Sequence, residues 1–259
     1  MRRAPRPDPW LPCGAVRPAG CRRHASTETH QLSDTSRAVF ISGTDTGIGK
    51  THVACTLLYA LRAAGQRACG MKPVASGCVE TPDGLRNDDA LALQAASSQL
   101  LPYPEINPVA LRAPLSPHLA AMREQATISL PPLRAAFERL RAQHEVVVVE
   151  GVGGWLVPLA PDLLASEIAR QWQLPVILVV GLRLGCLNHA LLSARAIVAD
   201  GCRLIGWIGN AVDPAMQAPE ENLATLRALL PAPCLGVLPH AMSPAQAATQ
   251  IPAAVAALG

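Results

Sequence analysis

Lysine is nearly absent from this chain: of its 22 basic side chains only Lys50 and Lys72 are lysines. Aromatic residues make up 3%, which predicts a core of alanine, leucine, valine and isoleucine. No apolar run reaches the roughly 18–20 residues that a bilayer-spanning helix needs, so no membrane segment is predicted. Because an ammonium and a guanidinium are not interchangeable, the two lysines indicate positions that require a compact point charge.

The eight cysteines include no Cys-x-x-Cys pair and no Cys/His group with the spacing of zinc ligands. Several fall in predicted strands or helices, where cysteine behaves as a small buried apolar residue. No apolar signal segment is present either. These observations predict reduced thiols and a cytoplasmic location.

The positive charge belongs to the start of the chain. Residues 1–37 hold seven arginines against three acidic residues, and the remainder holds 15 basic and 16 acidic residues. No basic face with interleaved aromatics is evident, which argues against a nucleic-acid partner. The first 18 residues contain five prolines, which would disrupt the amphipathic helix of an organelle-targeting segment. We therefore expect residues 1–37 to be a disordered Arg/Pro-rich extension, or to follow from a start codon assigned too early, and residues 38–259 to form one domain.

Short apolar runs alternate with helical stretches from Ala38 onward. The predicted strands are 38–42, 67–72, 145–150, 176–180, 204–210 and 234–238. The predicted helices are 51–64, 88–97, 130–143, 163–171, 188–200, 220–229 and 244–258. This alternation predicts a doubly wound α/β fold, with a mostly parallel sheet covered by helices on both faces. Ligands of such sheets bind at the carboxyl ends of the strands.

Residues 43–51, Gly-Thr-Asp-Thr-Gly-Ile-Gly-Lys-Thr, lie between a predicted strand and a predicted helix. Gly47 and Gly49 allow backbone N–H groups to face a polyphosphate, Lys50 can reach the β- and γ-phosphates, and the Thr51 hydroxyl can bind Mg²⁺. Thr44 stands where the strict phosphate-loop pattern has its first glycine. The segment therefore predicts a variant P-loop and a P-loop NTPase-like fold.

Three further segments follow predicted strands or open a helix. Lys72 ends the second strand, and Ser76 follows in a tight turn that can offer a hydroxyl to a ligand. Asp89 lies at a helix start, where a carboxylate either stabilises the helix terminus or holds a metal with Thr51. Glu150 ends a strand of four valines and precedes a glycine run, a position that P-loop enzymes use for a metal-associated carboxylate and that a plain turn could also explain.

Seven segments in order along the chain resemble the dethiobiotin synthetase family. They are residues 43–51, 72–77, 85–89, 116–118, 149–155, 185–189 and 206–210. The resemblance runs from about Phe40 to Pro239. It implies an ATP-dependent cyclo-ligase that converts 7,8-diaminopelargonate and CO₂ into dethiobiotin through a phosphorylated carbamate, with Mg²⁺ and a homodimer.

The resemblance also implies roles for the matching residues. Lys50 and Lys72 would be catalytic, with Lys72 placed against the carbamate and the γ-phosphate. The residues expected around the nucleotide phosphates are Gly47, Ile48, Gly49, Lys50, Thr51, His52, Gly151, Val152 and Gly153. Mg²⁺ would be held by Thr51, Asp89 and Glu150. The residues expected to contact the adenine base, together termed the adenine edge, are Asn210, Ala211, Leu238, Pro239 and His240.

Substrate contacts are expected from three residues. Thr46 and Ser76 would meet the diamine or its carbamate, and Asn188 would receive the substrate carboxylate from across the dimer interface. Without the resemblance, Asn188 is a suitable N-cap for the helix predicted there. The chain departs from the family at Ala211, where an aspartate is frequent, and at Arg183, where a lysine is common.

Two other functions remain as alternatives. An amidating ATPase of the same fold should carry a glutamine-hydrolysing Cys/His site, for which 259 residues leave little room. A dimeric switch ATPase would place a lysine early in the loop, where this chain has Asp45. It should also carry a basic or amphipathic segment for its partner, and none is evident.

Overall fold

The computed structural model describes residues 37–258. The strands are β1 Arg37–Gly43, β2 Ala68–Met71, β3 Val74–Ala75, β4 Val79–Thr81, β5 Gly84–Arg86, β6 Val109–Ala110, β7 Val146–Glu150, β8 Pro158–Ala160, β9 Leu163–Leu164, β10 Val176–Gly181, β11 Leu204–Asn210 and β12 Cys234–Leu238. The helices are α1 Lys50–Ala63, α2 Asp88–Ala96, α3 Tyr103–Ile106, α4 Pro117–Glu124, α5 Leu130–Arg141, α6 Ser166–Gln171, α7 Cys186–Ala199, α8 Pro219–Leu229, α9 Pro244–Ala247 and α10 Pro252–Ala256. The expected disorder of residues 1–37 lies outside the described residues, apart from Arg37 in β1.

Six strands form one sheet in the order β12-β11-β10-β1-β7-β2, and every neighbouring pair is parallel. All six predicted strands are present in it, which confirms the predicted fold class. Along β7 and β10 every residue is buried. Since successive side chains of a strand point to opposite faces, both faces of the sheet are covered. The continuous valine and isoleucine runs of the sequence reflect this double burial.

The order of the strands sets the place of the site. β1 lies between β7 and β10, and Ile41 of β1 is in register with Glu150 at the end of β7. β2 borders β7 on the other side, with Met71 opposite Val149. Because these strands are parallel, the chain segments that follow them emerge at the same edge of the sheet.

The core is built from aliphatic side chains, as the composition predicts. Four aromatic rings form two pairs within it: Phe40 meets Trp155 edge to face, and Phe137 stacks on Trp172 at 4.8 Å between ring centroids. Trp155 also donates a hydrogen bond from Nε1 to Asp200 Oδ2 at 2.7 Å. Through these contacts with Phe40 and Asp200, Trp155 fixes the end of the glycine-rich segment 151–154 that follows β7.

Two predicted helices are wrong in part. The first residues of predicted helix 163–171 form β9, which pairs with β8 around a two-residue turn before α6 begins at Ser166. Predicted helix 244–258 is broken into α9, a 3₁₀ turn and α10. Pro252 causes that break, because the residue before a proline is driven out of the helical region, and Ile251 has φ −126°.

The helix predicted from residue 188 begins earlier, so the expectation that Asn188 caps it is also wrong. α7 begins at Cys186, and its N-cap is Gly185 at φ 93°. A positive φ of this kind suits glycine, which explains why the turn occurs there. Asn188 lies exposed in the first helical turn.

No helix within residues 37–258 has the length and apolar character needed to cross a membrane. The six cysteines of this region, Cys55, Cys69, Cys78, Cys186, Cys202 and Cys234, are free thiols. Burial raises the pKa of Cys55 to about 12, which keeps this thiol protonated and unreactive.

Replacement of Leu57 tests the packing of α1, the helix that follows the P-loop. Leu57 has no exposed surface, so we expect Leu57→Ala to lower the free energy of unfolding by about 2–5 kcal/mol. Leu100 is 87% exposed, and the control Leu100→Ala should change it by less than about 0.5 kcal/mol. Urea titration followed by circular dichroism measures both. Equal midpoints for the two variants would contradict the packing described.

Candidate functional site

The P-loop occupies the turn between β1 and α1, as predicted. Gly47 and Gly49 have φ values of 72° and 83°, a left-handed conformation that glycine adopts without steric cost. Gly49 is the N-cap of α1, and Lys50 is its first residue. The first N–H groups of a helix have no partner within the helix and carry positive potential. The loop therefore presents the geometry of an anion site.

Lys72 lies at the centre of a cluster of charges at the ends of β2 and β7. Its Nζ is 2.5 Å from Glu150 Oε1 and 3.0 Å from Asp89 Oδ2. The same Glu150 oxygen accepts a hydrogen bond from Thr51 Oγ1 at 2.8 Å. The fold thus brings together the four residues that the sequence placed at strand ends and helix starts.

The electrostatic environment keeps Lys72 charged. Burial alone would lower the pKa of Lys72, but the charges and hydrogen bonds of Glu150 and Asp89 outweigh it, so the pKa is raised. Burial would likewise raise the pKa of Asp89, and the charge of Lys72 with hydrogen bonds from Lys72 and Thr51 lowers it instead. The result is a buried ammonium in contact with the Glu150 carboxyl group and with an Asp89 carboxylate whose pKa is lowered.

At Lys50 the effect of burial outweighs that of the nearby carboxylates, so its pKa is lowered. Burial, followed by repulsion from Lys72, lowers its pKa to about 8. Its Nζ donates a hydrogen bond to the carbonyl oxygen of Asp45 at 2.8 Å, while the Asp45 carboxylate forms an ion pair with Arg183. Lys50 therefore carries its charge at neutral pH and is held by its own loop.

The donor atoms of this cluster fit Mg²⁺. Glu150 Oε2 is buried and has no hydrogen-bond partner among the described residues, and an unpaired buried carboxylate oxygen is costly. The Thr51 hydroxyl and the Asp89 carboxylate add oxygen atoms, which are the ligands Mg²⁺ prefers. Within residues 37–258 no group of three or more His, Cys, Asp or Glu could hold a metal. A metal here would thus need the hydroxyl and phosphate oxygens as well.

A cavity of about 840 Å³ opens beside the cluster, a size typical of ligand sites. Of the site residues predicted from the sequence, those that line this cavity are Thr46, Gly47, Gly49, Lys50, Thr51, Lys72, Ser76, Asp89, Glu150, Val152 and Gly153. The two lysines therefore face one cavity. Thr46 and Ser76, predicted to meet the substrate, lie in its wall with the phosphate loop.

Three residues predicted to surround the nucleotide phosphates do not line the cavity. Ile48 is buried at 1% exposure, and its backbone carbonyl accepts a hydrogen bond from Asn210. Gly151 accepts a hydrogen bond from Lys72 Nζ at 3.4 Å. His52 lies in the first turn of α1, where burial lowers the pKa of its imidazole.

The residues predicted for the adenine edge meet at the ends of β11 and β12. Asn210 Nδ2 donates to Ile48 O at 2.9 Å, which ties this edge to the P-loop. Ala211 N–H donates to Leu238 O at 3.0 Å, and His240 Nδ1 lies 3.0 Å from Ala211 O. These contacts hold the residues predicted for the adenine edge together, and Pro239 lies between Leu238 and His240 in the chain. None of the group lines the large cavity.

Asn188 is the predicted site residue that stands apart. It is exposed on α7 and does not line the cavity. No described contact of this chain joins it to the lysines or to the P-loop. Its predicted role across a dimer interface stays a prediction.

One wall of the cavity received no predicted role, although residues 116–118 are among the segments that resemble the family. Ser116, Pro117 and Leu119 line it from the start of α4, a helix that was not predicted. The signal was present, because a serine followed by proline is typical of a helix start. Asn87, the N-cap of α2, also lines the cavity.

Known proteins resemble this chain over most of its length. An AAA domain family model matches residues 37–246. The ATP-dependent dethiobiotin synthetase BioD of Xylella fastidiosa is 56% identical over 217 residues, which covers 83% of this chain and 96% of the relative. The same enzyme of Xanthomonas oryzae pv. oryzae is 59% identical over 202 residues, or 78% and 90%. Among solved structures, the MinC:MinD cell division protein complex of Aquifex aeolicus matches with a TM-score of 0.47 at 14% identity, covering 79% of this chain and 81% of that chain.

Gly49→Ala tests the phosphate-binding role of the loop. An added Cβ would lie 2.1 Å from Asn210 Nδ2, in a backbone conformation that alanine disfavours. We expect the dissociation constant for ATP to rise at least about 10-fold, because the loop must shift to relieve this clash. Isothermal titration calorimetry measures the change.

Gly65→Ala is the matched control. Gly65 has a similar φ of 79°, but a Cβ there meets nothing within 4 Å. It should cost a similar backbone strain of about 1–2 kcal/mol while leaving ATP affinity unchanged. If both variants bind ATP like the original chain, Gly49 does not shape the phosphate site.

Proposed function

The chain belongs to the ATP-dependent dethiobiotin synthetase family, and we propose that Lys50 and Lys72 carry the family's chemistry in it. The enzyme is a cyclo-ligase that converts 7,8-diaminopelargonate, CO₂ and ATP into dethiobiotin, ADP and phosphate. The observation that carries the residue assignment is the buried ammonium of Lys72. It faces the same cavity as the P-loop lysine, 2.5 Å from Glu150.

The reaction needs no protein nucleophile. One amine of the substrate adds to CO₂ and loses a proton, which gives a carbamate. A carbamate oxygen attacks the γ-phosphorus of ATP, and ADP leaves. The second amine then attacks the carbonyl carbon, the five-membered ring closes, and phosphate departs with loss of a proton. Such steps depend on positioning and on neutralisation of developing charge.

The two lysines supply positive charge where the transferred phosphoryl group carries negative charge. Lys50 starts α1, so the ammonium and the helix terminus act on the same phosphates. Lys72 enters from the end of β2 and would contact the carbamate and the γ-phosphate together. The backbone of Gly47, Gly49 and the glycine run after Glu150 would surround the phosphates.

Thr51, Asp89 and Glu150 would hold Mg²⁺. The metal would supply further charge neutralisation for the phosphates of the bound nucleotide. The orphaned Glu150 oxygen supports this assignment.

Thr46 and Ser76 would orient the diamine or its carbamate, since both residues line the cavity. The adenine would lie against Asn210 and the Leu238–His240 segment. Ala211 offers only backbone groups at a position where relatives frequently have a carboxylate, so one adenine contact would be made by the backbone or lost. Asn210 already donates to the P-loop, so binding of the base and binding of the phosphates would be coupled.

A homodimer would bring Asn188 of one copy to the substrate of the other. Leu184 is 96% exposed just before α7, and Leu192, one turn beyond Asn188, is 57% exposed. Exposed apolar residues around a polar one suit an interface. The predicted cytoplasmic location stays a prediction.

Product analysis tests the activity itself. Incubation with 7,8-diaminopelargonate, bicarbonate, ATP and Mg²⁺ should yield dethiobiotin and ADP in equal amounts, measured by mass spectrometry. ATP hydrolysis that is indifferent to the diamine and to bicarbonate would favour the switch ATPase instead.

Lys72→Arg should lower the rate of ring closure by about 10²-fold or more, because a planar guanidinium cannot replace a compact ammonium between two carboxylates. Steady-state kinetics measure the loss, and circular dichroism should show a folded chain. Arg227→Lys, on the exposed end of α8, is the matched control and should retain full activity. A near-normal rate for Lys72→Arg would remove Lys72 from the mechanism.

The dimer is tested by Leu192→Glu. A buried carboxylate at the interface would be costly, so this variant should sediment with the mass of one 27.2 kDa chain, while the original chain should show twice that mass. The Michaelis constant for the diamine should rise with dissociation. Leu100→Glu, at another exposed leucine, should leave the mass unchanged. A monomeric original chain with full activity would contradict the proposal.

A further inference from the structure

Both ends of Lys72 belong to one ring of hydrogen bonds. At its side-chain end, Nζ contacts Asp89 Oδ2 at 3.0 Å. At its backbone end, the Lys72 carbonyl oxygen accepts a hydrogen bond from Asn107 Nδ2 at 2.7 Å, and Lys72 N–H donates to Ile106 O at 2.7 Å. The lysine is therefore held where it leaves the sheet as well as where it meets the carboxylates.

Tyr103 connects the hydrogen bonds at the backbone end of Lys72 with those at its side-chain end. Its hydroxyl donates to Asn107 Oδ1 at 3.0 Å and accepts a hydrogen bond from the backbone N–H of Asn87 at 2.8 Å. Asn87 in turn caps α2, through a hydrogen bond from Ala90 N–H to Oδ1. Asp89 lies in the first turn of that helix, which completes the ring back to Lys72 Nζ.

The connecting groups are suited to a fixed geometry. Asn107 is 3% exposed and Tyr103 is 7% exposed, so water competes little for their hydrogen bonds. Burial raises the pKa of Tyr103, which keeps the phenol protonated and able to donate to Asn107. The Arg86 guanidinium lies 4.3 Å from the centre of the Tyr103 ring and covers it.

We infer that Tyr103 and Asn107 are positioning residues that set the distance between the Lys72 ammonium and the start of α2. They do not line the cavity, so they act through Lys72 and Asp89 and not on the substrate. The inference rests on the proposed catalytic role of Lys72. Loss of the Tyr103 hydroxyl would release α2 from the end of β2, and a displacement of about 1 Å in a catalytic group can cost about 10²-fold in rate.

Tyr103→Phe is the central test, since it removes one oxygen and leaves the ring beneath Arg86. We expect kcat for dethiobiotin formation to fall at least about 10-fold, while KM for ATP changes less than about threefold. The matched control is Tyr59→Phe. Tyr59 is the only other tyrosine of the chain, it also has an arginine, Arg62, over its ring, and its substitution should leave kcat unchanged.

A double-mutant cycle separates positioning from general destabilisation. If Tyr103 acts through Asp89, then Tyr103→Phe should cost less than about twofold in a chain that already carries Asp89→Asn. Rates are expressed per folded molecule, from thermal unfolding of each variant. Asn107→Asp, which keeps an oxygen for Tyr103 but loses the donor to Lys72, should reproduce the loss of kcat.

Three results would overturn the inference: a kcat within twofold of the original chain for Tyr103→Phe, an equal further loss in the Asp89→Asn background, or a loss explained entirely by unfolded protein. The same assay includes the original chain and Lys72→Arg. If Lys72→Arg is fully active, the proposed role of Lys72 fails. If it is inactive and Tyr103→Phe is normal, only the positioning role fails.

Discussion

The buried ion pair of Lys72 and Glu150 is the interaction on which the site depends. Both side chains are almost without exposed surface, and Nζ lies 2.5 Å from Oε1. Removal of one charge would leave the other buried and unpaired, a loss of about 3–5 kcal/mol in comparable cases. Because β2 and β7 are neighbours in the sheet, this pair joins two strand ends, and Thr51 and Asp89 attach the P-loop helix and α2 to the same point.

The two lysines show how neighbours assign different properties to the same side chain. Lys72 has two carboxylates within contact distance, and its pKa is raised. Among residues 37–258, the direct hydrogen-bond partner of Lys50 Nζ is a backbone carbonyl, and burial lowers the pKa of Lys50 to about 8. Both ammonium groups are therefore charged at neutral pH, but Lys72 is fixed by two carboxylates, whereas Lys50 is held by its own loop and is available to an incoming phosphate. This asymmetry suits a site that must accept a nucleotide beside a permanent positive charge.

The sequence predicted the main elements because each has a local signature. Runs of valine and isoleucine identified buried strands, and the pattern of glycines before Lys50 identified the phosphate loop. Errors occurred where a short-range signal was weak or was overruled. Pro252 divided the last helix, Gly185 started α7 two residues early, and α4 was missed although Ser116 and Pro117 signalled its start.

What the sequence by itself determined was the fold class and the position of the P-loop between β1 and α1, and it predicted functional side chains at positions 50, 72 and 150. These depend on patterns within a few residues of each other. Only the tertiary structure decided that Lys72 pairs with Asp89 and Glu150, which are 17 and 78 positions away, and that Tyr103 and Asn107 connect its two ends. Distance, burial and the resulting pKa values arise from atoms that the fold brings together, and no local window of sequence contains them.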